Sequence, residues 1–259
     1  MVNLKNYHVT VRHFVLFLTF LCLGCAQQKQ YVTRIEGRQV GITSAQPQTP
    51  GIDTFIKPYR EHINEDLSTV LAYSPETLEK SKGEWQTNIG NFMADVTLAK
   101  ARTVFDPREQ KQVDICLLNH GGIRAIIPKG NVTARTAYEV MPFENSLIVL
   151  ALKGEQLLEI AAYIIKEKKP HPLSGMSFTI GKDGNPKNIT VNGKPLVPAD
   201  TYYVATSDYL SNGGDNMVFF KKATASFDMD YKLRNILIDY FKETDTLVVN
   251  HDERISIER

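Results

Sequence analysis

Three short stretches of this chain carry residue types that could grip a small polar ligand. Asn119, His120, Gly121, Gly122, Ile123 and Arg124 follow an apolar run. Paired glycines let backbone approach a ligand closely, Asn119 offers both donor and acceptor, and Arg124 presents a planar fork of donors. Tyr209, Leu210, Ser211, Asn212, Gly213, Gly214 and Asp215 follow a second apolar run. There a ring can stack on a flat heterocycle while a carboxylate accepts hydrogen bonds from a neighbouring diol. Pro142, Phe143, Glu144 and Asn145 bring a second ring and a second amide ahead of a third apolar run. Taken singly, each stretch also reads as structure: a glycine turn with a surface arginine, a tight turn with an Asp cap, an aromatic core residue.

These stretches need a scaffold, and the surrounding pattern supplies one. Val113 to Leu118 and Ser146 to Leu152 read as buried strands, and Ser68 to Tyr73 as a further strand. A helix is predicted from Thr87, with Ile89, Phe92, Met93 and Val96 on one face and Thr87 as its cap. Another follows Gly154, with Leu157, Leu158, Ala161, Ile164 and Ile165, and closes at Lys166, Lys168, Lys169 and Pro170. Met176 to Ile180, Ile189 to Val191 and Tyr202 to Thr206 read as strands, the first two joined through Asp183-Gly184 and the last two separated by Asn192-Gly193. Leu233, Ile236, Leu237 and Phe241 mark a last amphipathic helix. Ahead of all these, Phe55, Ile56, Tyr59 and Ile63 are spaced for a helix face, although Pro58 disfavours a long uninterrupted helix. The expected fold is a single α+β domain of mixed sheet with flanking helices, over residues 53–259.

In order and spacing, the three stretches resemble the C-terminal, substrate-recognition domain of the 5′-nucleotidase family. That domain carries Asn-x-Gly-Gly-x-Arg, Pro-Phe-x-Asn and aromatic-x-x-x-Gly-Gly-Asp; the segment Asn88, Ile89, Gly90, Asn91 is similar to its Asn-x-Gly-Asn helix start. The resemblance runs from about residue 55 to 245. It implies a nucleoside clamp in which Phe143 and Tyr209 sandwich the base and Asp215 accepts from the ribose hydroxyls. It further implies that Asn119 and Asn145 touch the base and that Arg124 lies toward the ribose and phosphate. Where the family has a second ligand-facing arginine, this chain has Gly83; Lys80 or Lys82 could stand in as a point charge.

Hydrolytic members of that family place an N-terminal metallophosphatase domain ahead of this one. Its two-metal motifs are missing here: no Asp is followed two residues on by His, and no His-x-His occurs. Two catalytic ions held about 3.5–4 Å apart need clustered His and carboxylate ligands. The six histidines fall at 8, 13, 62, 120, 171 and 251, with Asn250, His251 and Asp252 as the nearest echo. His120 is read as a structural or ligand-contacting group. No catalytic residue and no cofactor are assigned to this chain; two divalent metals are expected in a partner metallophosphatase.

The first residues bear on where the protein works. Met1 to Gly24 contains Lys5, Arg12, no acid, and the apolar run Phe14 to Leu23, the pattern of a secretory signal peptide rather than of a span of about 20 residues. Cys25 after Leu23 and Gly24 resembles a bacterial lipobox and is the expected lipidation site. Residues 25–52, rich in Gln and Pro, read as a tether with one short strand at Val40 to Ile42. Lipidation of Cys25 would leave Cys116 as the only other cysteine of the mature chain, with no internal disulfide.

The expectation is therefore an exported lipoprotein, periplasmic or facing outward from the cell surface, touching membrane only through its lipid. Without Lys5 and Arg12 the 30 basic residues fall to 28, against 29 acidic, too balanced for polymeric nucleic acid. Three functions fit: the recognition component of a split 5′-nucleotidase, a non-catalytic nucleoside- or nucleotide-binding lipoprotein, and an autonomous hydrolase with unfamiliar catalytic groups.

Overall fold

The computed structural model describes residues 4–22, 31–41, 43 and 49–259. It divides into two compact units, Met1–Pro50 and Gly51–Arg259. In the first, α1 spans Leu4–Cys22, and residues 31–41 carry no regular structure. Val40 and Gly41 therefore belong to no strand, contrary to expectation, while Ile42 and Cys25 lie outside the described residues. No helix among the described residues is long and apolar enough to cross a membrane.

Helix α2, Pro50–Ser68, opens the body. It runs unbroken past Pro58, which corrects the expectation drawn from that residue, and none of its residues is buried. Its start also makes the last residues assigned to the tether helical. The body continues with β1 (Val70–Ser74), α3 (Asn88–Glu109), β2 (Ile115–Leu117), β3 (Gly130–Thr133) and α4 (Ala134–Val140). Next come β4 (Ser146–Lys153), α5 (Gly154–Glu167), β5 (Leu173–Ser174), β6 (Met176–Ile180), β7 (Pro186–Val191) and β8 (Lys194–Pro195). The chain closes with β9 (Thr201–Ser207), α6 (Asp208–Ser211), β10 (Ala225–Lys232), α7 (Leu233–Glu243) and β11 (Ile255–Ile257). This is the expected α+β class.

A five-stranded mixed sheet, ordered β10-β4-β9-β2-β5, forms the centre. Strands β2 and β4 read as continuous apolar runs because both of their faces are covered. The side-chain alternation is visible in β4: Leu147 and Val149 join a core with Phe92, Phe105, Ile236 and Phe241 of α3 and α7, whereas Ile148, Leu150 and Leu152 face the opposite core. That second core holds Leu157, Ile160 and Ile164 of α5 and Phe178 and Val191 of the four-stranded sheet β11-β6-β7-β8. Strands β1 and β3 pair apart as an antiparallel ribbon. Truncating such a core residue to alanine costs about 2–5 kcal/mol, so the strand ends that carry loops are firmly held.

Topology gathers the three stretches. Strands β2 and β9 are adjacent and parallel, so the turns that follow them leave the same edge of the sheet. Strand β4 is antiparallel to β9, with Leu147 opposite Ser207, which brings the segment preceding β4 to that edge as well.

Candidate functional site

At this edge Asn119, Gly121, Gly122, Arg124, Phe143, Asn145, Tyr209 and Asp215 line one open cavity of about 490 Å³. All six residues singled out in the sequence as ligand contacts are brought together there, from loops as far as 96 positions apart. Phe143 and Tyr209 are 43% and 46% exposed, large fractions for aromatic rings set on a well-packed core. Asp215 is exposed rather than sealed in the interior.

The turn from Asn119 closes as a short 3₁₀ segment, with the Gly122 N–H donating to the Asn119 carbonyl at 3.0 Å. The Asn119 side-chain amide donates to Asp215 Oδ2 at 2.7 Å. Arg124 donates to the Gly121 carbonyl at 3.2 Å, and its guanidinium carbon lies 6.0 Å from the Phe143 ring centroid. One such bond leaves most of the fork's five donors available for an anionic group.

Ser207 caps α6, its hydroxyl accepting from the Leu210 N–H. Beyond this helix the chain turns through Gly213, and Asp215 takes φ 50 and ψ 29, a left-handed conformation that Asp tolerates better than most residues. The Tyr209 hydroxyl donates to Asp215 Oδ1 at 2.9 Å and accepts from the Asp215 N–H at 3.2 Å. An ideal Cβ on Gly214 would stand 2.5 Å from the Tyr209 ring, so only glycine lets the ring lie against this turn.

Tyr163, on α5, escaped the sequence reading because it sits among the apolar positions of an amphipathic helix. Its hydroxyl donates to the Asp215 carbonyl at 2.6 Å. Burial, with Glu167 nearby, pushes its phenol up to about 12, so it remains a donor throughout the neutral range. Its ring packs 5.5 Å from His171, which is 3% exposed and accepts the His120 N–H on Nδ1 at 3.3 Å. Burial drives His171 down to about 4 and lowers His120 as well, in the latter case aided by Lys80. His120 thus lies half-buried behind the turn and does not line the cavity.

Gly83 has a structural reason to be glycine. It sits at φ 109, and an added Cβ would stand 1.9 Å from the Gln86 carbonyl oxygen. No arginine fits that backbone. Lys82 pairs with Glu79, while Lys80 donates to the carbonyl of Ile123, the residue before Arg124, at 2.8 Å.

The described residues do not fit a two-metal centre in this chain. No group of three or more His, Cys, Asp or Glu side chains among them is placed to hold an ion. His62 meets Asp66, and His251 pairs with Glu76 away from the other histidines.

Comparison with known proteins gives the family. The family described as "5'-nucleotidase, C-terminal domain" matches residues 68–222, more than half of the chain. The apyrase of Tabanus yao is 25% identical over 245 residues, covering 86% of this chain and 44% of that protein. The trifunctional nucleotide phosphoesterase protein YfkN of Bacillus subtilis is 31% identical over 172 residues, 61% of this chain and 11% of its own. Among solved structures, the 5′-nucleotidase precursor of Thermus thermophilus superposes with a TM-score of 0.68 at 26% identity, covering 82% of this chain and 44% of that one. The chain thus spans less than half the length of these relatives. By its matched segment, its fold and the order of its motifs, the chain belongs to the 5′-nucleotidase C-terminal domain family.

Proposed function

We propose that this chain is the nucleoside- and nucleotide-recognition component of a split 5′-nucleotidase. It binds the base and ribose of nucleoside 5′-phosphates, and a separate metallophosphatase chain carries the two divalent metals and performs hydrolysis. The base stacks between Phe143 and Tyr209, and Asn119 and Asn145 meet its edge. Asp215 accepts from the ribose hydroxyls, while Arg124 reaches toward the ribose and phosphate. Lys80 adds a second positive charge beside Arg124, as a point rather than a fork. Cys25 carries the lipid of an exported protein tethered to a membrane, facing the periplasm or the cell exterior.

The observation that carries this reading is the Asp215 carboxylate. It is exposed at the cavity, oriented by Asn119 and Tyr209, and shares that cavity with two half-exposed rings. Stacking on an aromatic platform contributes about 1–3 kcal/mol per base and tolerates different bases, so base preference is broad.

Calorimetry of the chain with adenosine and with AMP tests the clamp. Heat of binding is expected for both, and affinity is expected to fall in Phe143→Ala and Asp215→Ala; a folded wild type that gives no heat overturns the reading. Turnover of AMP is then expected only on mixing with a metallophosphatase chain. Binding without any rate gain on mixing would leave the non-catalytic binding lipoprotein, and turnover by the metal-loaded chain alone would establish an autonomous hydrolase.

A further inference from the structure

The segment that presents Phe143 and Asn145 belongs to no helix or strand, yet its backbone is tied at every step. Four consecutive carbonyls, from Pro142 to Asn145, each receive a donor from three consecutive residues at the junction of β10 and α7. Arg234 donates to Pro142 O at 3.2 Å and to Phe143 O at 3.5 Å. Lys232 donates to Glu144 O at 2.9 Å and to Ser146 Oγ at 2.8 Å. The Leu233 N–H donates to Asn145 O at 3.0 Å.

Arg234 is itself fixed. It is 6% exposed, pairs with the Glu144 carboxylate, and lies with its guanidinium carbon 4.2 Å from the Tyr138 ring centroid. Lys232 stands opposite Ser146 in the β10–β4 ladder, so the junction is anchored in the central sheet. Neither side chain lines the cavity.

We propose that Lys232 and Arg234 are positioning residues for the Phe143 wall: by holding three successive carbonyls, from Pro142 to Glu144, they fix the ring without touching ligand. This rests on the clamp reading. The consequence is that ligand affinity depends on residues behind the site, through Phe143 alone. A loop without its own ladder is otherwise free to move its side chains, and ordering it at the moment of binding would weaken the complex.

The test is a double-mutant cycle on the whole chain with adenosine as probe, joined to amide order parameters of residues 143–145 without ligand. Lys232→Met and Arg234→Gln are each expected to weaken adenosine binding about three- to thirtyfold in the parent and by less than twofold in a Phe143→Ala background. Arg234→Lys recovers part of the loss. Without ligand, the order parameters fall from about 0.85 to below about 0.6 in Lys232→Met. That variant alters a part-exposed side chain, so the test stands even if Arg234→Gln fails to fold. Order parameters unchanged in the folded variants, or an equal affinity loss in the Phe143→Ala background, overturn the proposal. Order parameters that fall while Phe143→Ala leaves adenosine affinity intact overturn the clamp, and with it the effect on affinity, but not the tie itself.

Discussion

The two walls of the cavity are built on opposite plans. Tyr209 and Asp215 lie six residues apart in one turn and hold each other, with the hydroxyl donating to the carboxylate and accepting from the backbone of the same residue. From outside the turn, Asn119 and Tyr163 add one hydrogen bond each to Asp215. Phe143 sits on a segment whose carbonyls are satisfied from another strand-to-helix junction. A self-bonded turn tolerates little change within its own sequence, whereas an externally tied segment is vulnerable from behind. Ligand-facing precision is therefore encoded locally on one side and at long range on the other.

The sharpest way to break this contrast is Gly214→Val. A Cβ 2.5 Å from the Tyr209 ring must displace it, removing the stacking platform along with its grip on Asp215. Adenosine affinity is expected to fall roughly tenfold to several hundredfold by calorimetry, with the fold retained by circular dichroism. A loss below twofold would show that the tyrosine wall is not set by its own turn.

Asp215→Asn comes next in size. Asn accepts the left-handed backbone as readily as Asp, so the turn survives while the charged acceptor is lost. Bonds to charged groups contribute about 1.5–3 kcal/mol, predicting roughly a 10- to 100-fold drop for adenosine and a smaller drop for 2′,3′-dideoxyadenosine. Equal drops would separate Asp215 from the diol.

Tyr163→Phe removes one hydrogen bond to the Asp215 carbonyl, about 0.5–1.5 kcal/mol, and should weaken binding about two- to tenfold. The same change lies outside the Phe143 wall, so the order parameters of residues 143–145 should stay as they are.

Acid should destabilise the chain through a group behind the tyrosine wall. His171, behind Tyr163 and faced by His120, Lys169, Glu167 and Asp215, is held neutral by burial down to about 4 against an ordinary value near 6.5. Between those values the unfolded chain binds more protons than the folded one, so stability is full above about pH 6.5 and declines as pH falls toward 4. The slope contributed by this one site is at most about 1.4 kcal/mol per pH unit. Melting temperature measured across this range should decline, and His171→Gln should flatten the decline; an identical slope in the variant would remove His171 as the cause.

What the sequence revealed and what it hid follow the same division. The runs of β4 and β6 and the Thr87 cap are read easily because continuous or alternating apolar residues and a side-chain cap are local signals. Helix α2 was obscured by Pro58, whose missing N–H is tolerated in a helix that buries nothing. Strand β10 has mostly exposed side chains and no clean alternation, so neither it nor its role behind Phe143 could be read in advance. Within the site, the cavity-lining residues stood in recognisable motifs. Tyr163, Lys232 and Arg234 act through backbone carbonyls of distant residues, and such bonds leave no spacing in the sequence.

The central claim is that two rings from separate loops enclose one base. It is tested most directly by nuclear Overhauser contacts between bound adenosine and the side chains of the intact chain. The account predicts contacts from the base protons H2 or H8 to both the Phe143 and the Tyr209 ring, with ribose protons near Asp215. Contacts to one ring only, or to neither while adenosine remains bound, would contradict it.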